Sequence, residues 1–211
     1  MKLYHCHDAR SLRPLWALEE MGFPYEVELL KFPPRVFQKD YLGVNPLGTV
    51  PYFIDGDTRM TESSGICHYL VERYRRHEFG LLPDHPEYGS YLNWLYHSDA
   101  TLTFPQTIML RYSYMEAPER RLAQAVEDYK AFFLGRLKML TAHLQTRSYL
   151  CDERFTIADI CIGYALLLGS SRQINLADAF APQVRDYLAR LMERPAFQRA
   201  RAIGASDSSL P

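Results

Sequence analysis

Cysteine is scarce in this chain and shows no pairing pattern: Cys6, Cys67, Cys151 and Cys161 form neither a C-x-x-C motif nor a metal-ligand spacing. His5 and His7 flank Cys6, but a stable zinc site takes four ligands and no further partners lie nearby in sequence, so no metal is expected. An excess of charge of either sign is also missing. With 24 basic and 25 acidic residues, the net charge of −1 offers no basic field for nucleic acid or an anionic membrane surface. A long hydrophobic run is absent, since the stretch from Ile160 to Gly169 is half of the about 20 residues a spanning helix needs. The opening Met1-Lys2-Leu3-Tyr4-His5 lacks the apolar segment of a secretory signal, and a cytoplasmic protein is expected. Internal repeats and low-complexity tracts are lacking as well. What remains is a chain of 211 residues, 47% hydrophobic and 23% charged, long enough for one large or two small globular domains.

Two textures divide it. Residues 1–78 alternate short β-like runs with helical patterns. A strand at 2–5 leads through a loop to a helix whose stripe is Leu12, Leu15, Trp16 and Leu18, with Pro14 in its first turn, an N-cap near Ser11 and a stop at Gly22. A strand at 25–30, a short helix at 36–42, a hairpin at 52–60 turning on Asp55-Gly56-Asp57, and a helix at 64–76 complete an α/β layer of four strands. Residues 79–88, with Gly80, Pro83 and Pro86, read as a linker. From 89 to 211 the periodicity is helical almost throughout, with helices at 87–115, 119–146, 157–169, 178–192 and 195–203 and a kink at Pro105. The second half should form a helical bundle.

Two motifs stand out in the first half: Asn45-Pro46-Leu47-Gly48-Thr49-Val50-Pro51, and Thr61-Glu62-Ser63-Ser64-Gly65-Ile66 at a helix start. In the second half, Phe155-Thr156-Ile157-Ala158-Asp159-Ile160 has the form of a capping box, with Thr156 as N-cap and Asp159 at N3. With these motifs in this order, the whole chain resembles the cytosolic glutathione transferase superfamily. The resemblance implies a thioredoxin-like N-terminal domain, an all-α C-terminal domain, and glutathione as co-substrate. It also implies a homodimer in which the α/β layer of one subunit meets the long helices of the other. A cis Val50–Pro51 bond is implied too, with Thr49, Val50 and Pro51 presenting backbone to the cysteinyl residue of glutathione. Glu62 would face the γ-glutamyl ammonium. Ser63 and the helix N-terminus would face its carboxylate, as the free N–H groups and dipole of a helix start allow. Lys39, with Gln38 beside it, is the nearest donor for the glycyl carboxylate.

The chemistry so implied is attack of a glutathione thiolate on a small hydrophobic electrophile. A free thiol of pKa about 8.5 is mostly protonated at neutral pH. Lowering it by two units takes about 2.7 kcal/mol of preferential anion stabilisation. The loop Asp8-Ala9-Arg10-Ser11-Leu12-Arg13 resembles relatives of S-R-S-x-R type, whose activating serine would fall at Ala9. Here that hydroxyl is missing, which leaves Ser11, Arg10 and Tyr4 as candidates to stabilise the thiolate. The expectation is that Ser11, Arg10 and the helix N-terminus act together. Trp94, His97, Asp99, Phe104 and Tyr112 are expected around the second-substrate pocket. Two alternatives stay open: a glutathione-dependent thiol-disulfide reductase or peroxidase, for which Cys6 is the residue to watch, and a non-catalytic binding protein on the same fold.

Overall fold

The computed structural model describes residues 1–205. The chain divides into two compact units, one built from 1–77 with the segment from Met192 onward, the other from 78–191.

In the first unit, β1 (Lys2–His5), α1 (Leu12–Met21) and β2 (Glu26–Leu29) form a strand-helix-strand element in which β1 and β2 run parallel. Leu12, Leu15, Trp16 and Leu18 recur at helical spacing on α1, and all four are buried. Gly22 ends the helix at φ 66, in the left-handed region that residues with a side chain rarely adopt, and its N–H bonds the Leu18 carbonyl. The short helix expected at 36–42 is split in two. Pro34 starts α2 (Pro34–Phe37) early, and Gln38 breaks the register before a 3-10 turn over Lys39–Gly43. The hairpin of β3 (Tyr52–Asp55) and β4 (Thr58–Met60) completes a sheet of order β2-β1-β3-β4, with β3 antiparallel to β1. Helix α3 (Ser63–Arg73) buries Ile66, Cys67, Leu70 and Val71 and packs against α1. This is the thioredoxin-like layer the resemblance implied.

In the second unit, α4 (Tyr88–Tyr96) runs through a π-helical segment, His97–Thr103, into α5 (Phe104–Leu110), and a second π segment, Arg111–Met115, follows. Pro105 explains the first segment: it has no N–H to donate, so the chain there cannot keep an α register, and the Phe104 N–H bonds Asp99 O five residues back. Side chains take up carbonyls along the disturbed stretch, Thr103 Oγ1 donating to Ser98 O and Gln106 Nε2 to Leu102 O. Helices α6 (Ala123–His143), α7 (Ile157–Gly169) and α8 (Pro182–Met192) complete the bundle. The α7 capping box is present: Thr156 Oγ1 accepts the Ala158 N–H, and Asp159 Oδ2 accepts the Thr156 N–H at 2.8 Å. Almost every residue of α7 is buried, which makes it the core of this unit.

Helix α9 (Pro195–Ala202) returns to the first unit and packs on α1. The cause lies in its side chains. The ring of Phe197 meets Trp16 edge-on at 4.9 Å, Arg194 forks onto both carboxylate oxygens of Glu20, and Arg199 donates to Glu19 at 2.6 Å. Among the described residues no helix is long and apolar enough to cross a membrane.

Candidate functional site

The segment 6–13 is the hub of the first unit. After β1 the chain turns back at Asp8, which adopts a left-handed φ of 56. Ala9 and Cys6 then pack against Val50 and Tyr41, with Tyr4, Phe32 and Tyr52 around them. The same segment enters α1, where Arg13 donates to Ser63 Oγ at 3.0 Å. A single loop and helix start therefore touch both Val50 and Ser63.

Val50 precedes the β3 ladder, whose first paired residue is Tyr52, and the Val50–Pro51 bond is cis. The loop carrying it is braced from behind. The Thr49 carbonyl accepts the Tyr41 hydroxyl at 2.8 Å and the Asn45 side-chain amide at 2.9 Å, while the Thr49 side chain stays exposed. Gly48 is required here, because a Cβ on it would come within 2.7 Å of Arg35 Cβ, and its φ is 60. Glu62 is the N-cap of α3 and is exposed, whereas Ser63 at the first helical position is only 3% exposed. The α3 ladder begins with the Ile66 N–H on Glu62 O, so the N–H groups ahead of it lie outside that ladder. Lys39 is exposed at the start of its 3-10 turn, and Gln38 Oε1 is occupied by the Lys31 N–H.

The candidates for thiolate stabilisation separate clearly. Ser11 is wholly buried, its Oγ lies 2.8 Å from His5 Nδ1, and it accepts the Cys6 N–H at 3.3 Å. That hydroxyl does not cap α1. Sequence spacing placed Ser11 at the helix start but could not tell that His5, on the inward face of β1, would claim it. Arg10 is half-buried in the turn that feeds α1, with its carbonyl bonded to the Arg13 N–H. Tyr4 is half-buried beside Tyr41 and Tyr52, at 5.4 and 5.9 Å between ring centroids. Cys6 is 1% exposed and burial pushes its thiol up to about 12, which leaves it protonated.

The residues expected around the second substrate lie in the helical unit. Trp94 is buried in the bundle, edge-on to His143 at 5.2 Å and to His97 at 5.7 Å. The signal for that burial was its position on the apolar stripe of α4. His97 is half-buried, and burial, with Arg136 nearby, lowers its pKa. Asp99 and Tyr112 are half-buried, and Phe104 is 52% exposed. Among the described residues no cluster of His, Cys, Asp or Glu is placed to hold a metal. Sequence reasoning gave Arg13 no role and weighed His5 only as a metal ligand. For Arg13 the available signal was a lone basic residue inside an otherwise apolar first turn.

Comparison with known proteins fits this geometry. The model of the glutathione S-transferase N-terminal domain matches residues 1–72, and that of the C-terminal domain matches 103–195. Glutathione S-transferase F9 of Arabidopsis thaliana is 32% identical over 170 residues, covering 76% of each chain. Glutathione S-transferase 3 of Zea mays is 29% identical over 198 residues, covering 89% of this chain and 86% of its own. Among solved structures, the glutathione transferase URE2P6 of Phanerochaete chrysosporium, in complex with oxidized glutathione, superposes with a TM-score of 0.83 at 27% identity, over 97% of this chain and 96% of that one. By these matches at both ends of its sequence, the chain belongs to the glutathione S-transferase family.

Proposed function

We propose that this protein binds glutathione on its first unit and uses it as a thiolate against a small hydrophobic electrophile. The observation that carries the reading is the meeting of segment 6–13 with both Val50 and Ser63. The γ-glutamyl carboxylate would sit at the start of α3 with the Ser63 hydroxyl, and its ammonium at Glu62. The backbone of Val50, outside the ladder, would pair with the cysteinyl residue, with Thr49 and Pro51 holding it in place. Lys39 would take the glycyl carboxylate.

The thiol then falls near Ala9 and the turn that opens α1. With the Ser11 hydroxyl committed to His5, the anion is stabilised there by the N-terminus of α1 and the Arg10 guanidinium, with Tyr4 as the competing donor. The thiolate attacks the electrophilic carbon, a C–S bond forms, and the leaving group departs with its electron pair. His97, Asp99, Phe104 and Tyr112 keep accessible surface and are the proposed electrophile contacts. A reductase acting through Cys6 would have to use a thiol that is buried and that burial pushes up to about 12.

We also infer a cytoplasmic homodimer, as the resemblance implies, and sedimentation at micromolar concentration tests the dimer directly. The binding reading is tested by calorimetry with glutathione on wild type, Glu62→Ala and Ser63→Ala. Each substitution should weaken binding by roughly 1.5–3 kcal/mol, the worth of a charge-assisted hydrogen bond. Unchanged affinity in both variants would remove the site. A panel of aryl halides, epoxides, enones and peroxides then identifies the reaction.

A further inference from the structure

We infer that Arg13 is a positioning residue for glutathione, orienting the Ser63 hydroxyl toward the γ-glutamyl carboxylate; this rests on the glutathione site proposed above. Arg13 is wholly buried on α1, and its Nη1 lies 3.0 Å from Ser63 Oγ at the start of α3. A guanidinium has five donors and no acceptor, so in this contact the serine oxygen must accept. A hydroxyl has one hydrogen to give. With Arg13 occupying a lone pair, that hydrogen is left to be given to an acceptor other than Arg13.

The arrangement favours an anion for two separate reasons. The guanidinium polarises the hydroxyl it bonds and makes it a stronger donor. It also places a permanent positive charge behind the positive end of the α3 dipole. Lysine could supply charge at this position but not the planar fork that fixes the direction of the bond. Arg13 does not touch the thiol in this reading, so its effect belongs to binding rather than to chemistry.

The experiment measures dissociation constants by calorimetry for two ligands. One is glutathione; the other is 4-aminobutanoyl-cysteinylglycine, which lacks only the γ-glutamyl carboxylate. The proteins are wild type, Arg13→Lys, Arg13→Met, Ser63→Ala and the double variant Arg13→Met/Ser63→Ala, each checked for folding by circular dichroism. Arg13→Met should weaken glutathione binding roughly ten- to a hundred-fold while leaving the carboxylate-free ligand within about twofold. Arg13→Lys, which retains charge and is the variant to rely on if Arg13→Met does not fold, should fall between. The double variant should bind no more weakly than Ser63→Ala, and kcat at saturating glutathione should change less than about threefold in Arg13→Lys and Arg13→Met. Equal weakening of both ligands by Arg13→Lys, or independent losses that multiply in the double variant, overturns the inference. If Ser63→Ala weakens glutathione and neither Arg13 variant does, only the role of Arg13 fails. If wild type shows no preference for glutathione over the carboxylate-free ligand, the underlying site is wrong and the inference falls with it.

Discussion

Ser11 Oγ lies 2.8 Å from Nδ1 of His5, and both side chains are wholly buried between β1 and the start of α1. The pair ties the loop after β1 to the helix that follows it, with the Cys6 N–H as a third member. Ser11→Ala should therefore act on stability. It leaves His5 Nδ1 and the Cys6 N–H without their partner, at a cost of about 1–3 kcal/mol. Urea denaturation should show that loss, while the pKa of bound glutathione stays within a few tenths of wild type. A raised thiol pKa with unchanged stability would return Ser11 to the catalytic site.

His5 gives the fold a defined acid sensitivity. Burial lowers its pKa from 6.5 to about 4, with His7 adding to the effect. Between those values the unfolded chain binds a proton that the folded chain does not, so stability rises with pH and is lost as pH falls from about 6.5 toward 4. Asp159 works in the opposite direction: its pKa is raised to about 6 by burial, and its contribution is lost as pH rises through that range. The His5 term is isolated by comparing wild type with His5→Asn, which can keep a polar atom near Ser11. Wild type should lose stability relative to the variant by up to about 1.4 kcal/mol per pH unit below pH 6.5. A pH-independent difference between the two would refute the assignment.

Asp159 is also the keystone of the helical unit. Its Oδ1 accepts the Tyr187 hydroxyl at 2.8 Å and the Leu150 N–H at 3.1 Å, and its Oδ2 accepts the Thr156 N–H. Both oxygens thus face backbone donors that cannot reverse. Asp159→Asn would set an amide NH2 against one of them, so it should destabilise nearly as much as Asp159→Ala, by about 2–4 kcal/mol. Calorimetric melting provides the comparison, and a neutral Asp159→Asn would show that one of these contacts is dispensable.

The capping box that sets Asp159 in place was readable from spacing alone, because it is a local pattern of side chain and backbone within four residues. So was the Gly22 stop, whereas the Val50-Pro51 and Glu62-Ser63 motifs took their meaning from the resemblance. Three features were not readable in the sequence. Ser11 was placed at a helix start correctly, but its partner His5 sits on a strand, and alternation on β1 had to be known in three dimensions to see the pair. The π-helical segments around Pro105 depend on how the chain resolves a missing N–H, for which a kink and a change of register look alike in sequence. The return of α9 to the first unit depends on Phe197 finding Trp16, a contact across nearly the whole chain.

That contact leads to a test of where the units divide. Phe197 is buried against Trp16, and Arg194 forks onto Glu20. Phe197→Ala removes an aromatic side chain from a packed interface and should cost about 3–5 kcal/mol. Quenching of Trp16 fluorescence should report the loosening of α1 directly in a Trp94→Phe background. If Phe197→Ala leaves both stability and the Trp16 signal unchanged, α9 is not part of the first unit's core.

On the proposed function, Arg10 and Tyr4 are the competing candidates to stabilise the thiolate. Ala9 supplies no hydroxyl, Ser11 is committed to His5, and Cys6 is sealed and protonated. A helix end contributes roughly 0.3–1 kcal/mol, and up to ~2 where it is partly buried, so the α1 N-terminus alone falls short of a two-unit shift. Arg10, half-buried in the turn feeding that helix, can add a fixed positive charge. Tyr4 sits in an aromatic group with Tyr41 and Tyr52, which holds its ring by packing. Titrating bound glutathione by thiolate absorbance in Arg10→Ala, Tyr4→Phe and Ser11→Ala separates them. Arg10→Ala should raise the thiol pKa by about one unit, equivalent to about 1.4 kcal/mol, and lower kcat/KM at neutral pH in proportion to the lost thiolate. Tyr4→Phe should leave the pKa where it was. If Tyr4→Phe alone raises it, the phenol hydroxyl is the donor and Arg10 serves only to hold the turn.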